Sequence, residues 1–149
     1  MAEQKRRAAD ELLRVCRRGG TVALANWTPG GFVGQMLKLA GRHVPPPPGV
    51  QPPTRWGTED GVRELLGAGA AGLDFSTVSV TQRFPSPEFF ADFFLTYYGP
   101  TLKASEALTQ EGRSAFRDDL IALATASNRA ADGTLVSDWE FLITVATRA

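Results

Sequence analysis

One cysteine and one histidine occur in 149 residues, and that scarcity removes whole classes of chemistry. A lone Cys16 excludes an internal disulfide. With His43 as the single histidine, no His-rich or Cys/His cluster can be assembled, so no metal site is expected. An excess of one charge is missing too: 16 Lys and Arg stand against 16 Asp and Glu. So balanced a chain has no field to draw nucleic acid or an anionic membrane, and neither is expected as a partner. No run of about 18 apolar residues is present to span a bilayer. The opening, MAEQKRRAADELL, has no apolar stretch after its charges, unlike a secretory signal. A cytoplasmic, reducing setting is the expectation. Nucleophile motifs such as G-x-S-x-G are absent, and His43 stands beside a proline run, so Ser/His/Asp catalysis is not expected.

What is present is organised around Leu12 to Trp27, LLRVCRRGGTVALANW. It reads as the last turns of an amphipathic helix running from Ala2 to Cys16, a Gly19-Gly20 break, and a strand over Thr21 to Trp27. In that strand Val22 and Leu24 point one way and Ala23, Ala25 and Trp27 the other. A strand apolar on both faces belongs inside an α/β sheet covered by helices on each side. The chain is long enough for one domain with a real core. A turn at Thr28 to Gly31 leads to a short helix with Phe32, Val33, Met36, Leu37 and Leu39. The proline-rich stretch from His43 to Pro53 follows, as a rigid extended connector or a ligand for a proline-reading domain. Thr58 caps a helix buried through Val62, Leu65 and Leu66. Gly67 to Gly72 is a loop, and Leu73 to Phe84 a β-branched strand. Ser86-Pro87 starts a helix reaching Tyr98 whose aromatic residues cover about two thirds of its circumference, so it should touch a core and something else besides. A weaker helical segment at residues 101–108 comes next. Thr109 to Arg129 is a long helix with Ala115, Phe116, Leu120, Ile121, Leu123 and Ala124 inward, and Trp139 to Thr147 is the last strand.

"ELLRVCRRGGTVALANW" resembles the segment of class I S-adenosylmethionine-dependent methyltransferases made of the helix before the fifth strand, the turn and that strand. Arg18 stands where the family usually has proline, and the paired glycines still allow the turn. The resemblance implies a fold class: α/β, a partial Rossmann-like methyltransferase sheet holding the fifth, sixth and seventh strands, the seventh antiparallel between the other two, with helical insertions. Thr21 to Trp27 corresponds to the fifth strand, Leu73 to Phe84 to the sixth and Trp139 to Thr147 to the seventh. Residues 1–149 then form one incomplete domain, with an insert at 28–57 and a helical insertion at 86–137. The implied cofactor is S-adenosylmethionine. The family's glycine-rich turn and ribose-binding acid have no counterpart here, so no cofactor-binding residue is assigned, and the chain alone is not expected to bind it.

The resemblance implies an acceptor-binding C-terminal half for methyl transfer to a small molecule. Such transfer needs a dry pocket with apolar walls, and aromatic faces also favour a cation. Trp27 at the carboxyl end of its strand, Phe32, Met36, Tyr97 and Tyr98 are the substrate-pocket candidates, set against a plain core role for each. Glu59-Asp60 and Asp118-Asp119 read as solvated faces, since adjacent helical residues point apart. Asp138 and Glu140 read as solubilising strand-end groups. A half-domain that self-associates or takes a partner chain on its open sheet edge is the alternative. A small polyketide-type or lipid-binding pocket protein is a third reading. In the family's strand order the Thr21 to Trp27 edge is left bare, and Val22, Leu24 and Trp27 should be under-buried.

Overall fold

The computed structural model describes residues 2–149, with side chains from Lys5 onward. It is a mixed α/β structure with an open, antiparallel three-stranded sheet. Helix α1 is Ala2–Val15 and strand β1 is Thr21–Trp27. They are followed by α2 Phe32–His43, α3 Glu59–Leu66 and β2 Ala70–Phe84, then by α4 Pro87–Tyr97, α5 Gly99–Glu106, α6 Gln110–Ala126 and β3 Leu135–Arg148. The sheet order is β1-β3-β2. β1 pairs antiparallel with β3 from Thr21 opposite Thr147 to Trp27 opposite Phe141.

Local chemistry explains most boundaries. The hydroxyls of Thr58, Ser86 and Thr109 accept the backbone N–H of Gly61, Phe89 and Gly112, capping α3, α4 and α6. Asp132 accepts from the Thr134 N–H at 3.0 Å, and Gly133 takes φ +88°. That turn delivers the chain into β3. β2 starts at Ala70 and β3 at Leu135, earlier than the sequence pattern suggests. The glycine loop shrinks to a 3-10 turn at Gly67–Gly69. Gly99-Pro100 opens α5, proline sitting in its first turn.

The chain divides into two compact units. The first comprises Met1–Gly31, Pro47–Ser79 and Glu140–Ala149. Its core is Ala9, Val22, Val62, Leu65, Leu66 and Ala146, with Leu12, Leu13, Cys16, Leu24, Trp56 and Phe75 packed against it. α1 and α3 thus cover the face of β1 that carries Val22 and Leu24. The opposite face is different: Thr21, Ala23 and Ala25 are exposed, and Val145 of β3 is 36% exposed. A strand buried on both faces is therefore not what this unit contains. Val22, at 8% exposure, is well buried, contrary to expectation, while Leu24 and Trp27 are half-buried.

The second unit comprises Phe32–Pro46 and Val80–Trp139. Phe90, Phe116, Leu120, Met36 and Leu135 are fully buried there. Each contributes about 1.5–3 kcal/mol by leaving water. Trp139 is the hub of an aromatic cluster, stacked on Phe32 at 4.9 Å between ring centroids and edge-on to Phe94 and Phe90 at 5.7 and 6.1 Å. On α6 Phe116, Leu120 and Ala124 are buried, at i, i+4 and i+8. Ala115, expected inward, is exposed.

Candidate functional site

The carboxyl end of β1 is closely built. Thr28 donates its backbone N–H to the Glu140 carbonyl at 3.3 Å, and its hydroxyl to Glu140 Oε1 at 2.7 Å. The same hydroxyl oxygen accepts the Gly31 N–H at 3.1 Å. A Cβ at Gly31 would lie 2.8 Å from that oxygen and 3.1 Å from the Glu140 carbonyl, so glycine is the residue the packing admits. Glu140 is therefore tied to the strand end rather than being a plain solubilising group. Trp27 packs edge-on against its β3 neighbour Phe141, at 5.9 Å.

Beside this strand end, still within the first unit, is an open groove of about 360 Å³, lined among others by Pro29, Gln51, Pro52, Arg55, Asp60 and Glu64. Arg55 is ion-paired with Glu64 across it. Lys5 donates to the Pro52 carbonyl at 2.6 Å, which fixes the end of the proline segment. The groove is open to solvent, unlike the dry, enclosed pocket that methyl transfer favours.

The five pocket candidates fall into different surroundings. Trp27 belongs to the first unit and the other four to the second. None of the five lines the groove. Phe32 is 4% exposed against Trp139 and Phe90, and Met36 is fully buried, so both pack as core. Tyr98 is half-buried beside Phe94, with its hydroxyl pKa raised by burial. Tyr97 is 72% exposed. With Phe89 and Phe93 it forms a ridge of exposed aromatic rings on α4, Phe93 lying 6.2 Å from Phe89 and 5.0 Å from Tyr97. The wide stripe read from the sequence is thus split between a buried row, Phe90 and Phe94, and this exposed one.

Two polar arrangements escaped the sequence reading. In the second unit His43 Nε2 lies 2.8 Å from Asp119 Oδ2, with the imidazole against the Phe116 ring at 5.0 Å. Asp138 accepts from Thr81 at 2.7 Å and from Arg129 at 2.9 Å, which holds its carboxyl below the usual range, the Thr81 hydrogen bond being the larger cause. Both pairs join residues far apart in the chain, and nothing local signals them. Among the described residues no group of His, Cys, Asp and Glu is arranged to hold a metal ion. Nor is any helix among the described residues long and apolar enough to cross a membrane. Among the glycines near the strand end and around the start of β2, Gly31 is filled by Thr28 and Glu140 and a Cβ at Gly69 would meet the Leu13 side chain, while Gly30, Gly67 and Gly72 have nothing within 4 Å of a built Cβ.

No known family model matches the chain. Its sequence is 36% identical over 143 residues to the uncharacterized protein Rv1405c of Mycobacterium tuberculosis, covering 95% of this chain and 52% of that protein. It is 34% identical over 149 residues to the uncharacterized protein Rv1403c of the same organism, covering 99% of this chain and 54% of that one. The uncharacterized protein Mb1440c of Mycobacterium bovis is also 36% identical, over 95% of this chain and 52% of its own length. The chain spans about half the length of the relatives it matches.

Proposed function

We propose that this chain is the acceptor-side half of a Rossmann-like, S-adenosylmethionine-dependent methyltransferase fold, completed by polypeptide of the kind its relatives carry outside the matched stretch. The observation that carries this reading is the strand order. β3, last in sequence, lies between β1 and β2 and runs antiparallel to β1. That is the place the resemblance gives to the seventh strand, between the fifth and the sixth. Strands consecutive in sequence are neighbours roughly two-thirds of the time, and here β1 and β2 are not. Half-coverage of the relatives agrees with a half-domain. In this reading the cofactor, a small-molecule acceptor and catalysis belong to the completed protein. Trp27, at the carboxyl end of its strand, is the acceptor-facing candidate of the first unit; in the second, Tyr97 and Tyr98 are the candidates, Phe32 and Met36 being core.

Calorimetry tests it. The isolated chain should take up no S-adenosylmethionine, while intact Rv1405c should bind it at one site. A micromolar dissociation constant for the isolated chain, or no binding by the intact relative, overturns the proposal. A second reading has its own observation. The exposed apolar residues Ala23, Ala25 and Val145 also suit a non-catalytic half-domain that self-associates or binds a partner chain. Intact Rv1405c that forms the completed sheet without binding the cofactor would favour it.

A further inference from the structure

The two edges of the sheet are built differently. β2 is an edge strand on which the exposed Val78 and Val80 are interleaved with exposed polar residues, Asp74, Ser76, Thr77, Ser79, Thr81 and Arg83. Charges and hydroxyls of this kind protect an edge from pairing with another chain. β1 is the other edge, and TVALANW has no charge, no proline and no residue of positive φ. Its backbone polarity can be assigned atom by atom. Arg148 N–H donates to the Gly20 carbonyl at 2.9 Å, and Thr28 N–H donates to the Glu140 carbonyl at 3.3 Å. In an antiparallel ladder hydrogen-bonded pairs alternate with non-bonded ones. Given the register, Val22, Leu24 and Asn26 therefore aim their N–H and C=O groups at β3. Thr21, Ala23, Ala25 and Trp27 aim theirs outward. At Trp27 the outward carbonyl is covered by the backbone of Gly57. Thr21, Ala23 and Ala25 are exposed, and among the described residues no partner meets their outward groups.

We propose that this opening, at the outward-facing Thr21, Ala23 and Ala25, accepts a strand from the polypeptide that the mycobacterial relatives carry outside the matched stretch. This deepens the reading above and rests on it for the occupant's identity. Three observations favour that occupant over a second copy of the chain. The match takes in nearly all of this chain and leaves close to half of each relative outside it. The opening is bounded by Gly57 at one end, which limits the ladder two copies of β1 can share. The exposed side chains of Ala23, Ala25 and Val145 also form an apolar face next to the edge, which needs a covering layer as well as a strand.

Amide hydrogen exchange, read residue by residue across β1, tests this without reference to the cofactor, so the two proposals fail separately. The chain is co-expressed with the part of Rv1405c outside the match, as a second polypeptide. The amides of Thr21, Ala23 and Ala25 should exchange at least about a hundredfold more slowly in the complex than in the chain alone, while Val22 and Leu24 change little. Ala23→Pro removes one outward N–H and leaves the β3 ladder intact, which edge strands tolerate. It should weaken the complex at least about tenfold with the isolated chain's melting temperature unchanged. If Ala23→Pro unfolds the chain, Ala23→Lys at the same exposed position gives the reading. If the second polypeptide does not fold separately, intact Rv1405c is compared at the strand aligned with Thr21–Trp27. Fast exchange at the three outward amides, in the complex or in the intact relative, overturns the proposal. So does protection that arises in the isolated chain together with a doubling of its mass.

Discussion

Replacing Gly57 with alanine should be among the most damaging single-methyl additions in the chain. The new Cβ would lie well inside van der Waals contact with the Trp27 carbonyl oxygen, 2.7 Å from the carbonyl carbon and 3.1 Å from Thr28 Cα. All three atoms are backbone, at the end of a strand already paired with β3, so no side chain can rotate away. Either the 3-10 turn Pro53–Gly57 or the end of β1 has to move. Overpacking a core costs about 1–3 kcal/mol where side chains can yield. Here the displaced segments also carry the Thr28 bond to the Glu140 carbonyl and the Thr58 cap of α3, each worth about 1 kcal/mol. A loss of roughly 3–4 kcal/mol follows, against a domain stability of about 5–15 kcal/mol. At about 2–4 °C per kcal/mol the melting temperature should fall by roughly 10 °C. The control is nearby. Gly67 has φ −57° and ψ −37°, with nothing within 4 Å of a built Cβ. Gly67→Ala should therefore stabilise by about 0.4–1 kcal/mol, by restricting the unfolded chain. Circular dichroism melts of the two variants decide it. A Gly57→Ala protein melting within about 2 °C of the parent would show that the close approach of Gly57 to β1 is not the constraint described.

Two further predictions concern buried and charged groups. Thr144 is fully buried, and its hydroxyl has no hydrogen-bond partner among the described residues; Thr144→Val, nearly equal in shape, should raise stability by about 1 kcal/mol in denaturant titrations, and a loss would mean that the hydroxyl is satisfied. Asp92 accepts the fork of Arg117 at 2.6 and 2.9 Å, and those hydrogen bonds hold its carboxyl below the ordinary value of 3.8. Its contribution is therefore present above the unfolded pKa and is lost as pH falls through the lower folded one. Because both side chains are substantially exposed, Asp92→Asn should cost under about 1 kcal/mol at neutral pH, with the gap to the parent closing in acid; a gap that widens in acid would refute the assignment.

The parts of the fold that were legible in the sequence are those set by short-range chemistry. Thr21–Trp27 is bounded by a glycine pair and a Thr-Pro-Gly-Gly turn, and its limits are as read. The Thr58 and Ser86 caps needed only a hydroxyl three residues ahead of an orphan N–H. Long-range choices were not legible in the same way. Trp139 is conspicuous as a residue, but its role as hub depends on Phe32, Phe84, Phe90 and Phe94, brought to it from two other helices and a strand. Phe32 and Met36 show why pocket and core look alike in sequence. An apolar residue at helical spacing must leave water either way, and periodicity does not say whether the far side is a ligand or another side chain.

The misreading of β1 has a more specific cause. Apolar residues at consecutive positions suggest burial on both faces, yet alanine at 23 and 25 tolerates water at little cost, having only a methyl to expose. The larger residues, Val22 and Leu24, share the face covered by α1 and α3. Side-chain size, and not hydrophobicity alone, separated the two faces. β3 reads the same way. It buries Leu135, Ser137 and Trp139 in one stretch and Leu142, Thr144 and Ala146 in the next. Odd residues face inward first and even ones afterwards, so no single alternation describes the strand. Phe141, Ile143 and Val145, which continue the odd series, are half-buried or exposed. With Ala23, Ala25 and Trp27 opposite them in the register, they line one continuous side of the first unit's sheet. Small apolar residues on β1 facing larger ones on β3 leave a step that a helix or a second layer can pack into. A solvent-facing sheet would be expected to carry polar residues at these positions. β2 mixes exposed hydroxyls and charges with the exposed Val78 and Val80; this side of the β1–β3 pair carries threonine at its Thr21 end and otherwise apolar residues. A charge on β1 tests whether this side is open: Ala25→Lys should leave the isolated chain's stability within about 0.5 kcal/mol of the parent, as at other exposed positions, and a larger loss would show that this side of β1 is already covered.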